Sequence, residues 1–352
     1  MTDTARIAGG AGSFLVLAAC TAPEGTPAPA SWSLTLQESG VSTSLRGLSV
    51  VSDDVVWIGA PDGQILRTVD GGAHWQVLTT DFAEGADLRS AHGFDAETAL
   101  FVTAGQPGRI LRTADGGASF QLIWEDETGS AFFDSLAFWD DQRGLAFSDP
   151  VDGAFLVLRT LDGGMSWAAL PAMPTPLEGE AGFAASNSSI ALSADGCAYI
   201  GTGGGAVARI LRSCDFGDSW TALETPMAAG SGGAGIFGVA ISEDGLLAIS
   251  GGDYQQPDAT IGNFALSHDQ GDSWAPALAA PGGYRSDVVA SAGRWLTVGT
   301  NGIDTGVLQD DQIRWQASAW PVEAPNAIAF SPSGESAWII GANGGIWRAR
   351  PQ

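Results

Sequence analysis

A ring of seven four-stranded sheets, an all-β propeller, is the fold this sequence predicts, and three observations predict it. Of 352 residues, 45% are hydrophobic, 49 are Gly, 17 are Pro, 13 are Trp and only 16% are charged, which describes a turn-rich, well-buried chain without disorder or coiled coil. Short apolar strands recur four to a period of ~45 residues, the spacing of propeller blades. An aromatic marker follows the third strand of each unit: Trp75, Phe120, Trp167, Trp220, Trp274 and Trp315, with Trp32 as the seventh. The length alone is compatible with two domains or one large all-β domain. The repeat decides for one.

The chain opens with MTDTARIAGGAGSFLVLAAC, where an apolar run over 14–19 ends at Cys20 after small residues. This looks like a bacterial lipoprotein signal over 1–19 with lipidation at Cys20; an ordinary secretory peptide is the alternative, because Asp3 and a lone Arg6 make a weak basic start. The run is too short to span a bilayer as a helix. Residues 20–31, rich in Pro and small residues, read as a tether, so membrane attachment is expected through lipid alone. Thr21 after the cysteine suits outer-membrane sorting. An exported outer-membrane or periplasmic lipoprotein is the expected localisation.

Residues 32–352 are expected to form the propeller. TVDGGAHW (68–75), TADGGASF (113–120), TLDGGMSW (160–167), SCDFGDSW (213–220) and SHDQGDSW (267–274) share S/T-x-D-x-G-x-x-aromatic, the Asp-box or BNR motif. Its chemistry is that of a tight turn, in which Asp70, Asp115, Asp162, Asp215 or Asp269 accepts backbone N–H bonds and the glycine supplies φ > 0. A structural part is expected of these five acids, with the aromatic packed between neighbouring blades. The sixth box has decayed to QDDQIRW. The segment SWSLTLQ (31–37) has an outer-strand pattern with nothing before it, while the last unit, NAIAF, SAWIIG and GIWRA, stops after three strands. Residues 32–37 should therefore pair beside 345–349 and close the ring, removing its exposed edges.

Charge excludes several functions. Forty acids face fifteen bases, a net charge of −25, and all fifteen bases are arginine. Lysine-dependent chemistry is absent, and nucleic acid would be repelled. GSGGAG (230–235) precedes a strand and no helix, so it is no dinucleotide fingerprint. His74, His92 and His268 are scattered and offer no zinc triad. No metal and no cofactor is expected, and a monomer is.

The inner strands LRGLSV, LRSAHGF, FDSLAF, EAGFAA, IFGVAI, YRSDVV and NAIAF align with Arg46, Arg89, Asp134, Glu180 or Ala181, Phe237, Arg285 and Asn326 at the entry to one channel mouth. Loops between second and third strands crown that mouth and add Arg109, Asp149, Asp253 and Tyr254. Convergent guanidinium groups suit a carboxylate, phosphate or acidic side chain. Alternatively they neutralise Asp134, Asp149 and Glu180 as a structural network. By contrast Arg67, Arg112, Arg159, Arg212 and Arg348 recur at one third-strand position, which argues for a surface or inter-blade part. Cys197 and Cys214 are symmetric about the GTGGGAV turn and should face each other as a disulfide with Cα atoms about 4.4–6.8 Å apart.

LRGLSVVSDDVVWIGAPDGQILRTVDGGAHW, AGQPGRILRT, FFDSLAFWD, GEAGFAAS, GGDY and GYRS resemble motifs of the photosystem II stability/assembly factor-like family, including its members in non-photosynthetic bacteria. The resemblance covers about residues 32–350 and implies a non-enzymatic scaffold that holds a protein partner or acidic segment through an arginine patch. Arg46 matches that family's strand-entry arginine. A sialidase-like glycosidase acting on an acidic sugar is the alternative. In it Arg46, Arg89 and Arg285 would grip a carboxylate, Tyr254 or Tyr284 with Glu180 would be the nucleophile pair, and Asp62 or Asp134 the acid. Against it stand seven units rather than six, and Leu45-Arg46-Gly47-Leu48 in place of F/Y-R-I-P.

Overall fold

The computed structural model describes residues 1–2 and 32–351, and residues 32–351 form seven antiparallel four-stranded sheets in a closed ring. Residues 3–19 of the expected leader, Cys20 and the tether lie outside the described residues. The first blade runs outward as Gly47–Val50, Val56–Gly59, Gln64–Thr68 and Gln76–Thr79. Its inner strand touches Asp87–Gly93, and contacts continue through Phe133–Phe138, Ile190–Leu192, Ala234–Ile241, Asp287–Ser291 and Pro325–Phe330 back to the first. Closure is as expected: Trp32–Gln37 pairs antiparallel with Ile346–Pro351, from Trp32 opposite Pro351 to Gln37 opposite Ile346.

The core is seven seams between blades. Leu48, Ile58 and Leu66 of the first blade bury against Trp338, Ile340 and Ile346 of the seventh, and each following pair of blades repeats the pattern. Every aromatic marker packs in the seam before its own blade; Trp75, for instance, meets Trp338 edge-on at 5.9 Å between ring centroids. Strands buried on both faces explain the near-continuous apolar runs in the sequence.

Five S/T-x-D turns share one hydrogen-bond pattern. In the first, Thr68 Oγ1 donates to Asp70 Oδ1 (2.9 Å) and accepts from Gly72 N (2.9 Å), while Asp70 Oδ1 accepts from His74 N (2.9 Å). Asp115, Asp162, Asp215 and Asp269 do the same for Ser119, Ser166, Ser219 and Ser273. Four of the five recurring third-strand arginines latch turns across seams: Arg348 donates to Gly71 O, Arg67 to Gly116 O, Arg159 to Phe216 O and Arg212 to Gln270 O, while Arg112 makes no such bond among the described residues. The part of those four is inter-blade.

The fourth blade departs from expectation. EAGFAA is not an inner strand; that strand is only Ile190–Leu192. Residues 183–189 instead cross the channel and bond to other blades. Asn187 Nδ2 donates to Leu48 O (3.2 Å) and Ala91 O (2.9 Å), and Asn187 O accepts from Ser135 Oγ (2.8 Å). Ser188 O accepts from Val239 N (2.8 Å), and Ser186 Oγ donates to Ser286 O (2.7 Å). Asn187 holds φ +73°, a conformation Asn tolerates better than most residues. This plug divides the channel into two cavities.

Cys197 and Cys214 are joined as a disulfide, flanking the ladder pair Ala198–Ser213. Their Cα atoms are 3.8 Å apart, closer than the expected range.

Candidate functional site

The mouth above the plug is a cavity of about 350 Å³ whose lining changes chemistry around the ring. The first two blades contribute Arg46 and Arg89, the third Phe132, Asp134 and Asp149. The floor is plug backbone at 182–185 with the Phe183 ring. The fifth and sixth blades supply an aromatic wall: Phe183 stacks on Phe237 at 3.9 Å, and Tyr284 and Tyr254 meet Phe237 edge-on at 4.8 and 6.3 Å. Asn326 completes the circle, its amide donating to Ser44 Oγ (2.9 Å) and Leu45 O (3.0 Å).

Arg46 has no carboxylate partner among the described residues; its Nη1 donates to Ala185 O (3.2 Å). Burial and the neighbouring Arg89 push its guanidinium below the usual arginine range, yet it stays charged at any physiological pH. Arg89 donates through Nε to Asp87 Oδ2 (3.0 Å) and through Nη1 to Ala184 O (3.4 Å). Asp134 is 1% exposed, and its carboxyl makes no hydrogen bond among the described residues, Oδ2 being fully enclosed. Burial, then the charge of Asp149, raises its pKa well above the carboxylate range. Asp149 is half-buried and accepts from Gly182 N through Oδ1 (2.8 Å); burial raises it too. Gly182 is required between them, because a Cβ there would overlap Asp134 Oδ2.

Several expected site residues lie elsewhere. Arg285 is not a mouth residue: its side chain is 3% exposed, donates through Nε to Asp304 Oδ2 (2.7 Å) and through Nη1 to Asn301 Oδ1 (2.6 Å), and forms a buried ion pair. Glu180 turns away onto Arg209, accepting from its Nε (2.9 Å) and from Thr202 Oγ1 (2.6 Å). Arg109 is drawn outward by Glu125 (2.6 Å) and Phe82 O (2.9 Å). Asp253 organises its own turn through Ser231 Oγ and Gln255 N, both at 2.9 Å. Asp62 is an exposed turn residue at φ +56°.

These placements dismantle the sialidase arrangement. Two arginines, not three, reach the cavity, and neither tyrosine hydroxyl bonds to Glu180, Asp134 or Asp149 among the described residues. Tyr284 is buried, and burial raises its phenol further from ionisation. The strand expected at EAGFAA hides the aromatic floor; the flanking PAMPTPLEGE and SNSS, full of breakers, are the sequence signal for it.

No family model matches the chain, and no curated protein matches it either. Solved structures do. "YCF48 bound to D1 peptide" superposes with a TM-score of 0.65 at 15% identity, covering 91% of this chain and 97% of the other. YCF48 from Cyanidioschyzon merolae gives 0.60 at 15%, over 90% and 98%. A catalytically inactive virginiamycin B lyase from Staphylococcus aureus with quinupristin gives 0.67 at 14%, over 92% and 100%. At such identity the likeness is one of fold.

Proposed function

We propose that this chain is a binding and assembly scaffold that captures a protein partner by an anionic peptide segment seated in the mouth over Arg46 and Arg89. One observation carries the reading: Arg46 is a half-buried guanidinium without a carboxylate partner among the described residues, at the edge of a cavity walled by aromatic rings. Guanidinium pairs with carboxylates, and aromatic walls hold apolar side chains, which together suit peptide recognition. The YCF48 structure with a bound peptide shares the fold and supports the same use of it, as does the motif resemblance to photosystem II assembly factors. We also propose export and anchoring through a lipidated Cys20, in keeping with LAAC, the tether and a disulfide.

The test is fluorescence anisotropy with labelled peptides containing Glu. Arg46→Ala should weaken binding about 10- to 100-fold, the worth of one or two charge-assisted bonds, with the thermal midpoint preserved. Equal affinity of wild type and Arg46→Ala would remove the site.

A further inference from the structure

The mouth is divided by charge as well as by polarity. Arg46 and Arg89 stand on the first and second blades, Asp134 and Asp149 on the third, and the aromatic wall on the fifth and sixth. A ligand that is purely anionic would satisfy the first sector and meet repulsion at its neighbour. It would also approach a chain of net charge −25, whose long-range field opposes it.

Asp134 supplies the second, independent sign of a ligand. A carboxyl 1% exposed and without any hydrogen bond among the described residues is unusual, since buried polar groups are almost always partnered and an unpartnered one is costly. Oδ2 is enclosed, but the residue lines the cavity, so a donor can reach its other oxygen from there. Asp149, beside it on the same wall, spends Oδ1 on Gly182 N and keeps its other oxygen without a partner among the described residues. An ammonium or guanidinium group placed here would meet two acceptors. Burial raises both acids, and the charge of Asp149 raises Asp134 further, a cost that such a cation relieves.

We infer that the segment held in the mouth carries charges of both signs, a carboxylate docked on Arg46 and Arg89 and a neighbouring Lys or Arg side chain docked on Asp134 and Asp149. This rests on the peptide-binding reading and narrows it from an acidic ligand to a mixed-charge one. The apolar part of the segment faces the Phe237 and Tyr284 rings.

The experiment uses the full chain and three labelled peptides of equal length and one shared Phe, one bearing Glu only, one Lys only, one both. At physiological salt the mixed peptide should bind about tenfold tighter than either other, the worth of one charge-assisted bond. Asp149→Asn should erase that advantage; Asp149 is half-buried, so it serves even if Asp134→Asn fails to fold. Equal affinity for the Glu-only and mixed peptides, or for the Lys-only and mixed peptides, overturns the inference. So does an Asp149→Asn variant that weakens the Glu-only and mixed peptides alike. If the Glu-only peptide binds and depends on Arg46, the binding reading stands while this inference falls. If no peptide binds wild type, both fall.

Discussion

Arg46, Arg89 and Arg285 occupy equivalent strand-entry positions, and their fates diverge through what lies within reach of each guanidinium. Arg285 meets Asp304, a buried carboxylate from the third strand of its own blade, and is withdrawn from the mouth. Arg89 is held partly by Asp87 on its own strand, and Arg46, among the described residues, only by a plug carbonyl. The consequence is an asymmetry in mutants. Arg285→Ala leaves Asp304 buried and uncompensated, and should cost about 3–5 kcal/mol of stability, read as a lower urea midpoint at constant slope. Peptide affinity measured on the remaining folded protein should be retained. A stable Arg285→Ala protein would show that the pair carries no structural weight.

At the scale of elements, the plug determines what the mouth is. A regular inner strand at 180–185 would have left an open channel; residues 183–189 instead floor one cavity of about 350 Å³ and roof a second of about 360 Å³ on the opposite face. Asn187 is its fulcrum: its amide donates to the first and second blades, its Oδ1 accepts from Ser90 Oγ, and its φ is positive. Asn187→Ala loses these side-chain bonds and puts at a positive φ a residue that, unlike Asn, tolerates it poorly, together about 2–4 kcal/mol. Asn187→Gly loses only the bonds and should be about 1 kcal/mol less destabilised, because glycine adopts that φ freely. Chemical denaturation of the two variants checks the order; Gly below Ala would mean that φ is not what Asn187 supplies.

Across the whole molecule, acidity pulls stability in two directions. Turn hydrogen bonds hold Asp70, Asp215 and Asp269 at about 2, chiefly the His74 backbone bond for the first and the Ser219 and Ser273 side chains for the others. A depressed carboxylate contributes stability above its unfolded value of about 4, lost as pH falls toward 2. Asp287 is the reverse case. It is buried, accepts from Ile328 N at 2.9 Å, leaves Oδ1 unpartnered among the described residues, and is raised by burial to about 7. Its contribution is complete below about 4 and is lost as pH climbs through 7. The raised Asp134 and Asp149 act in the same sense, as does self-repulsion at −25. Calorimetry across buffers should therefore find the highest midpoint at about pH 4–5. Asp287→Asn should soften the decline toward pH 8. A midpoint rising through neutrality would contradict the assignment.

Seven blades, the shared terminal blade, the marker positions, the five turns and the cysteine pairing were all legible in the sequence. Each is a local pattern stated several times over, since a repeat of ~45 residues restates its strand, turn and seam chemistry in every unit. The mouth was legible only in part: inner-strand register points to Arg46, Arg89, Asp134, Phe237 and Asn326, the crowning loops add Asp149 and Tyr254, and these line it. Glu180, Arg209, Arg285 and Asp304 became buried pairs instead, because partners 19 to 29 residues apart meet only once strands are laid side by side. The path of the plug was not legible for the same reason, although the flanking breakers mark that no regular strand runs there. Its hydrogen bonds go to five other blades, and no periodicity records where a non-repeating segment will find its donors and acceptors. Repetition wrote the ring into the chain; the irregular residues that make a site within it acquire their neighbours, and hence their charge and exposure, from tertiary packing alone.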